Sequence, residues 1–387
     1  MAETNCRHFS GYKPCGKSEV CESNCSSLEP VSHRILIVHL GAMGAVVRST
    51  ALLKSIKKKY QNAHITWVTA APTDQLLRGH ERIDRVLTTS REDILALSCL
   101  KFDVSFVIDK SLAAVGVARA TKIDQLFGFT ADQNTGAILP ANVEAEPLWQ
   151  LGLSNFQKFF VNKKTESELV FKALNLDWSR DDYDLNLLTS EADEASRRRQ
   201  LWARGRRAVV GLNTGCSNVI AYKKLTIEAQ RRLVTMLNRA GFSVVLLGGP
   251  EDTLRNEHIA QGLDVISSST TSGLRDGLIS TAAVDIVVTG DSLGMHLAIA
   301  MKKWVVAWFG PTCAHEIDLY DRGEKILSAA TCGPCWRRSC NKPTMCYDLV
   351  DLNQILAAVE RGLYCKHLSS TPRLSEIYFS AYRSLDL

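Results

Sequence analysis

Eight of the chain's twelve cysteines fall into two sets whose spacing suits metal ligation. Cys332, Cys335, Cys340 and Cys346 are separated by two, four and five residues. That is close enough for four thiolates to converge, and Arg337, Arg338 and Lys342 stand among them to offset the negative charge. Cys6, Cys15, Cys21 and Cys25 form a looser set in a segment too polar to fold unaided, so metal binding would supply its folding energy. His8 is an alternative ligand there. Tetrahedral sulfur ligation suits zinc or iron, and an iron–sulfur cluster is a third option. The bland alternative is a group of unlinked buried cysteines. Four thiolates leave no open coordination position, so both sites would be structural. Neither set is expected at the strand ends described next.

A second group of chemically useful residues follows short apolar runs. His39-Leu40-Gly41-Ala42-Met43-Gly44-Ala45 offers a tight turn at Gly41 and Gly44, where a helix N-terminus presents N–H groups to an anion. It is not Gly-x-Gly-x-x-Gly, and no acidic residue closes the second strand near Thr69, so a nicotinamide dinucleotide is unsupported. Asn213, Thr214, Gly215 and Cys216, with Lys223 and Lys224 shortly after, are suited to holding a diphosphate, the lysine acting as a point charge. Thr289–His296 again joins a strand to a helix. Asp291 to Gly294, including Ser292, are placed to contact donor sugar or phosphate, with His296 beyond them; the alternative for Asp291 or Ser292 is a helix cap. Asp182-Tyr183-Asp184 has the form of a metal–diphosphate motif but sits in a charged segment, where a solvated loop is the better expectation.

These loops need strands and helices to carry them. From Arg34 the chain alternates apolar runs with amphipathic stretches, as parallel sheets with helical crossovers do. Strands are predicted at 35–40, 64–69, 84–87 and 103–108, with one helix over 46–60 and a less regular stretch through 128–147. A charged segment near 185–205 follows. The alternation then restarts with strands at 208–212, 242–247, 285–289 and 304–309 and helices at 226–239 and 292–301. The expected organisation is a cysteine-rich arm (1–30), an α/β half (31–190), a second α/β half (191–365) that includes the cysteine loop 331–347, and a peripheral tail (366–387). Ile377, Tyr378, Phe379 and Tyr382 are the residues that would dock that tail.

The 387 residues are too many for one small core. With 45% apolar and 22% charged residues the chain is globular rather than disordered, and no apolar run approaches the roughly 18 residues of a membrane span. The first 26 residues lack the apolar core of a secretory signal, so the cytoplasm is the expected compartment. A net charge of +5 is too small to argue for nucleic acid. Lys57-Lys58-Lys59 and Arg197-Arg198-Arg199 read as solvated helix faces, with peripheral contact to anionic lipid as the lesser reading.

The run ILIVHLGAMGAVVRSTALLKSIKKKYQNAHITWVT resembles the start of heptosyltransferase-type glycosyltransferases of family 9. Asn213-Thr214-Gly215 followed by Lys223, LLGGPED, TGDSLGMHLAIA and Phe309-Gly310-Pro311-Thr312 match the family's later signatures in order, over about residues 34–350. HEIDLYDRGEKI before the cysteine loop is most similar to the cysteine-rich branch, which includes protein-directed heptosyltransferases. The resemblance implies a GT-B fold, two Rossmann-like domains facing a cleft. It also implies ADP-heptose or a similar nucleotide sugar as donor, and inverting transfer without a catalytic divalent metal. The acceptor stays open between lipopolysaccharide core, a protein hydroxyl and another glycan, self-association is compatible, and the branch tilts the second cysteine site towards iron. Lys223 would stabilise the departing nucleotide, and Glu251 or Asp252 would reach the ribose or adenine. One departure matters: family members usually carry an acid directly after the first-turn glycine, where this chain has Ala45. Either the chain is inactive or another group is the base. Asp109, ending the strand Val104–Ile108, is the best substitute, with an ion pair or helix cap as its structural alternative.

Overall fold

The structure, a computed structural model, describes residues 4–369. The chain divides into two compact units, Met1–Asn186 and Leu187–Leu387. The first is built on β1 (His33–Val38), β2 (Ala63–Val68), β3 (Arg85–Leu87), β4 (Lys101–Val107), β5 (Lys122–Ala131) and β6 (Ile138–Pro140), in the spatial order β3-β2-β1-β4-β5-β6. All neighbours are parallel except β5 and β6. The second is built on β7 (Val209–Asn213), β8 (Ser243–Leu247), β9 (Ile266–Ser267), β10 (Ile286–Gly290), β11 (Trp304–Phe309) and β12 (Gly323–Leu327), ordered β12-β11-β10-β7-β8-β9 and parallel throughout. Renumbered within its own unit, each sheet has the Rossmann order 3-2-1-4-5-6, so the expected GT-B class of paired Rossmann-like halves holds.

Apolar content explains which strands are central. Ile35, Leu36, Ile37 and Val38 of β1 are wholly buried, and fully burying such a side chain stabilises the fold by about 1.5–3 kcal/mol each. In the second unit Leu212, Val288 and Val306 share a core with Leu233, Val234 and Leu237 of the helix Ile227–Arg239. That helix starts where Thr226 accepts the Ala229 N–H at 3.1 Å. Three predicted features come out differently. The helix expected over 46–60 is two segments, Met43–Ser49 and Leu52–Lys59, because the Thr50 hydroxyl donates back to Val47 O at 2.6 Å and also receives the Asp184 N–H at 2.8 Å. The stretch left irregular holds β5, whose Lys-Ile-Asp-Gln start lacks an apolar run. The charged segment is a helix, Thr189–Ala203, that packs on the second unit: Arg198 pairs with Asp276 at 2.5 Å and Arg199 with Asp285 at 2.7 Å.

The final described helix, Leu352–Ser369, takes in the first residues of the expected tail; Ile377, Tyr378, Phe379 and Tyr382 lie outside the described residues. No helix among the described residues is long and apolar enough to cross a membrane.

Candidate active site

In an open parallel sheet, ligands bind beyond the strand C-terminal ends where the strand order reverses. In the first unit that point lies between β1 and β4, and Asp109 stands there, two residues past β4. Its carboxylate accepts the N–H groups of Leu40 and Gly41, at the end of β1. Only 14% of the side chain is exposed. Burial outweighs those hydrogen bonds and nearby Lys110, and pushes the Asp109 carboxyl up to about 6. His39 Nε2 lies 3.8 Å from Asp109 Oδ1 and its Nδ1 lies 2.8 Å from Ser49 Oγ. Burial, then Arg48, push the imidazole down to about 3, so His39 is neutral at pH 7 and gives Asp109 no counter-charge. A largely buried carboxyl titrating near 6 suits proton abstraction.

Charge gathers around this carboxylate. Arg48 pairs with Glu166 at 2.9 Å, and Lys110 Nζ lies 4.7 Å from the centre of the Phe129 ring. Burial alone would raise Glu166, but Arg48, Lys110 and Lys158 hold it below the usual range. Ala45 lies on the first turn of helix Met43–Ser49, and its carbonyl accepts the Ser49 hydroxyl at 3.0 Å. Gly41 and Gly44 flank the start of that helix. His39 was not assigned a role from sequence. Its place directly before the turn was the available signal, but only the fold brings it to Asp109.

The matching point of the second unit lies between β7 and β10. Asn213 Nδ2, at the end of β7, donates to Gly215 O (3.0 Å), Thr289 Oγ1 (3.2 Å) and Ser292 Oγ (3.0 Å), tying the two strand-end loops together. A Cβ on Gly294 would lie 2.5 Å from the Asn213 side chain, and one on Gly215 would lie 2.0 Å from the Asp252 carboxylate. Both glycines are therefore required by close approach. The Thr214 hydroxyl is buried on Leu247 O (3.1 Å) and Asn256 Oδ1 (2.5 Å), and the Thr214 carbonyl receives Gln230 and Arg255. Its N–H also donates to Leu247 O at 3.2 Å, so Thr214 spends both side chain and backbone on holding the loop. Gln230, Arg255 and Asn256, distant in sequence, were not foreseen.

Lys223 Nζ lies 3.8 Å from Asp291 Oδ2, each side chain 15% exposed, so a lysine and a carboxylate stand together beside the loop. Ser292, not Asp291, is the N-cap of helix Leu293–Ala300, and its hydroxyl serves Asn213 and Thr289 instead of the helix. His296 is buried one turn along. The Cys216 thiol donates to the Ile220 and Ala221 carbonyls, and burial raises its pKa, so it is a protonated loop fastener. Glu251 accepts Asn218 Nδ2 at 3.1 Å, while Asp252 turns inward to accept the Gly249 N–H at 3.0 Å.

The carboxy-terminal cysteine loop is placed differently from expectation. It packs on strand-end loops of the second unit: Cys335 N–H and Trp336 N–H donate to Pro311 O at 3.0 and 2.9 Å, and Tyr222, next to Lys223, donates its hydroxyl to Arg337 O. Burial, then the neighbouring Cys335, Cys332 and Cys340, push the Cys346 thiol up to about 11. The amino-terminal Cys6, Cys15, Cys21 and Cys25 line one cavity of about 20 Å³ with His8 and Glu22, room for about one water-sized occupant. His8 Nε2 faces Glu29 at 2.7 Å and Lys17 at 3.0 Å. Among the described residues, no group of three or more His, Cys, Asp or Glu stands in metal-holding geometry. The cysteines are gathered but not closed around a centre.

The remaining motifs have structural duties. Tyr183 is buried, and Asp184 bonds Arg82 at 2.9 Å, so Asp182-Tyr183-Asp184 is a folded seam rather than a solvated loop. Lys57 donates to Ala63 O (2.7 Å) and Lys59 to Asn175 O (2.6 Å); with Arg198 and Arg199, they tie helices to their own units.

Two Rossmann-like sheets, each with a polar loop pair at its switch point, make up the paired-Rossmann GT-B class of fold, and the comparisons with known proteins agree. The model of glycosyltransferase family 9 (heptosyltransferase) matches residues 96–345, and the chain belongs to that family; it is a glycosyltransferase. No curated protein matches the chain in sequence. Among solved structures it is similar to a family 9 glycosyl transferase from Veillonella parvula (16% identity, 87% of this chain and 99% of that one, TM-score 0.67). It is also similar to the ADP-heptose lipopolysaccharide heptosyltransferase II of E. coli (19%, 86% and 99%, TM-score 0.63). A third is the iron-containing dodecameric glycosyltransferase TibC of enterotoxigenic E. coli (12%, 87% and 77%, TM-score 0.50).

Proposed function

We propose that the chain transfers a heptose or similar sugar from ADP-heptose to an acceptor hydroxyl with inversion. The second unit holds the donor and the first supplies the base. The observation that carries this is the pairing of Asp109 at one switch point with the Asn213–Ser292 lock and Lys223 at the other. Asp109 takes the proton from the acceptor hydroxyl, whose oxygen attacks the anomeric carbon as the bond to the diphosphate breaks and ADP departs. Lys223, the backbone N–H groups of Gly215 and Cys216, and the N-terminus of helix Leu293–Ala300 offset the charge on the leaving diphosphate. Asp291, Ser292 and Gly294 border the sugar and phosphates, and Glu251 is placed for the ribose or adenine. The acceptor classes are lipopolysaccharide core, protein and glycan.

Calorimetry with ADP-heptose tests the donor half: Lys223→Ala should weaken binding by about 1–3 kcal/mol, as for losing a charged hydrogen bond. Equal affinity would remove Lys223 from the site, and no binding at all would sink the donor assignment. A binding-only reading is favoured by Ala45 alone. If Ala45→Asp creates transfer where the natural chain has none, that reading wins.

We further assign a structural iron or zinc ion to Cys332, Cys335, Cys340 and Cys346, and a second to Cys6, Cys15, Cys21 and Cys25. The raised Cys346 thiol beside Cys335, Cys332 and Cys340 at the first set and the shared cavity at the second support it, since a bound cation relieves thiolate repulsion. Elemental analysis should find close to two ions per chain, and Cys335→Ser should lower metal content and melting temperature together. Metal-free protein with freely titrating thiols would end this assignment. Light scattering would show whether the chain self-associates.

A further inference from the structure

The first unit carries an apolar surface that neither half of the proposed reaction uses. After helix Glu146–Gly152 the chain makes a short second helical segment at 155–161, entered by Ser154, whose hydroxyl accepts the Gln157 N–H at 3.3 Å. Phe159 is buried and anchors this segment to its unit. Phe156 and Phe160 turn outward, 64% and 52% exposed, with ring centres 6.0 Å apart. Leu153, three residues before Phe156, and Val161, after Phe160, are exposed as well. Four large apolar side chains within nine residues make a contiguous exposed patch, which in a soluble unit marks a contact surface.

The charges around it say what kind of contact. From Pro147 to Thr165 the sequence holds Lys158, Lys163 and Lys164 and no carboxylate. Lys163 and Lys164 are exposed. An apolar wedge bordered by lysines matches an anionic bilayer surface, where phenyl rings enter the headgroup boundary and lysines meet lipid phosphates. Lys158 is close enough to Lys110 and Glu166 to bear on their charge, so the patch adjoins the end of the unit that carries Asp109. Among the described residues, Arg197–Arg199 has the single exposed Leu201 near it in sequence and Lys57–Lys59 has no large exposed apolar side chain, so neither run has an apolar cluster of this kind.

We infer that Leu153, Phe156, Phe160 and Val161, with Lys158, Lys163 and Lys164, form a docking face for an anionic membrane surface beside the end of the first unit that carries Asp109. The inference stands apart from the identity of the base and donor. It is tested with the full chain by co-sedimentation with vesicles of phosphatidylcholine containing about 30% phosphatidylglycerol, against pure phosphatidylcholine. The wild type should bind the anionic vesicles and lose binding as salt is raised. Phe156→Ser with Phe160→Ser should weaken binding by about tenfold or more, and Lys163→Glu with Lys164→Glu should remove the preference for anionic lipid. Both variants alter exposed side chains, and circular dichroism checks that they fold. No vesicle binding by the wild type, or undiminished binding by both variants, overturns the inference. So does a change of oligomeric size in the phenylalanine variant with vesicle binding intact, which would assign the patch to a second copy of the chain.

Discussion

The two units fold the same strand order and use its switch point in opposite ways. At the β1/β4 crossing the first unit holds a carboxylate against burial, with a neutral histidine 3.8 Å away, so that its proton affinity rises. At the β7/β10 crossing the second unit turns its polar side chains on one another. Asn213 binds Gly215, Thr289 and Ser292, Thr214 binds Leu247 and Asn256, and two glycines let these groups close up. One arrangement raises a carboxyl's proton affinity because burial outweighs the nearby Lys110 charge. The other gains rigidity by satisfying its groups internally, with Lys223 and Asp291 standing together beside the loop. A shared topology thus locates a site without deciding its chemistry.

The sharpest way to break this contrast is Asp109→Asn. Turnover should fall roughly 100-fold or more while ADP-heptose affinity is unchanged, because only proton transfer is lost. Full activity in this variant would refute the assignment. The same residue sets the pH profile. Activity should rise with pH through about 6, as the Asp109 carboxyl ionises. Stability runs the other way. A carboxyl raised from 3.8 to about 6 on folding contributes stability that is present while it is protonated and lost as pH climbs through that interval. Asp109→Asn should therefore flatten the stability profile between about pH 4 and 6, and an unchanged profile would show that Asp109 does not titrate there.

Gly215→Ala probes the second unit. The added methyl meets the Asp252 carboxylate, and overpacking of this kind costs about 1–3 kcal/mol, readable as a lower denaturation midpoint with weaker donor binding. An unaffected variant would mean that the loop is looser than its contacts imply. Asn213→Ala should have a smaller effect, about 1–2 kcal/mol in donor affinity, since it loosens the ligand loops without removing a ligand group. Its pH midpoint for turnover should match wild type. A shifted midpoint would blur the distinction between the two units.

The strands that carry the sites were legible because buried parallel strands must be nearly continuous apolar runs, as at Ile35–Val38 and Trp304–Phe309. Asp109, Asn213, Gly215 and Ser292 were legible for a related reason: polar and glycine residues directly after such runs stand at strand ends. β5 was not, since its sequence lacks the run, and the break at Thr50 depends on Asp184, 134 residues away.

What the sequence determined by itself was the order of elements, the two-unit plan and the residues available at each strand end, all of which follow from local patterning. Only the tertiary structure decided what those residues do. Thr214 and Cys216 were candidates for ligand contact, yet Asn256 and the carbonyls of residues 220 and 221 claim their side chains. Asp184 became a seam through Arg82, and the cysteine loop came to rest on Tyr222 and Pro311 rather than apart from the second unit's strand-end loops. His39 acquired its neutral state from burial and the Arg48 charge. Hydrogen-bond partners, desolvation and electrostatic neighbours are set by groups far apart in the chain, so no local pattern encodes them.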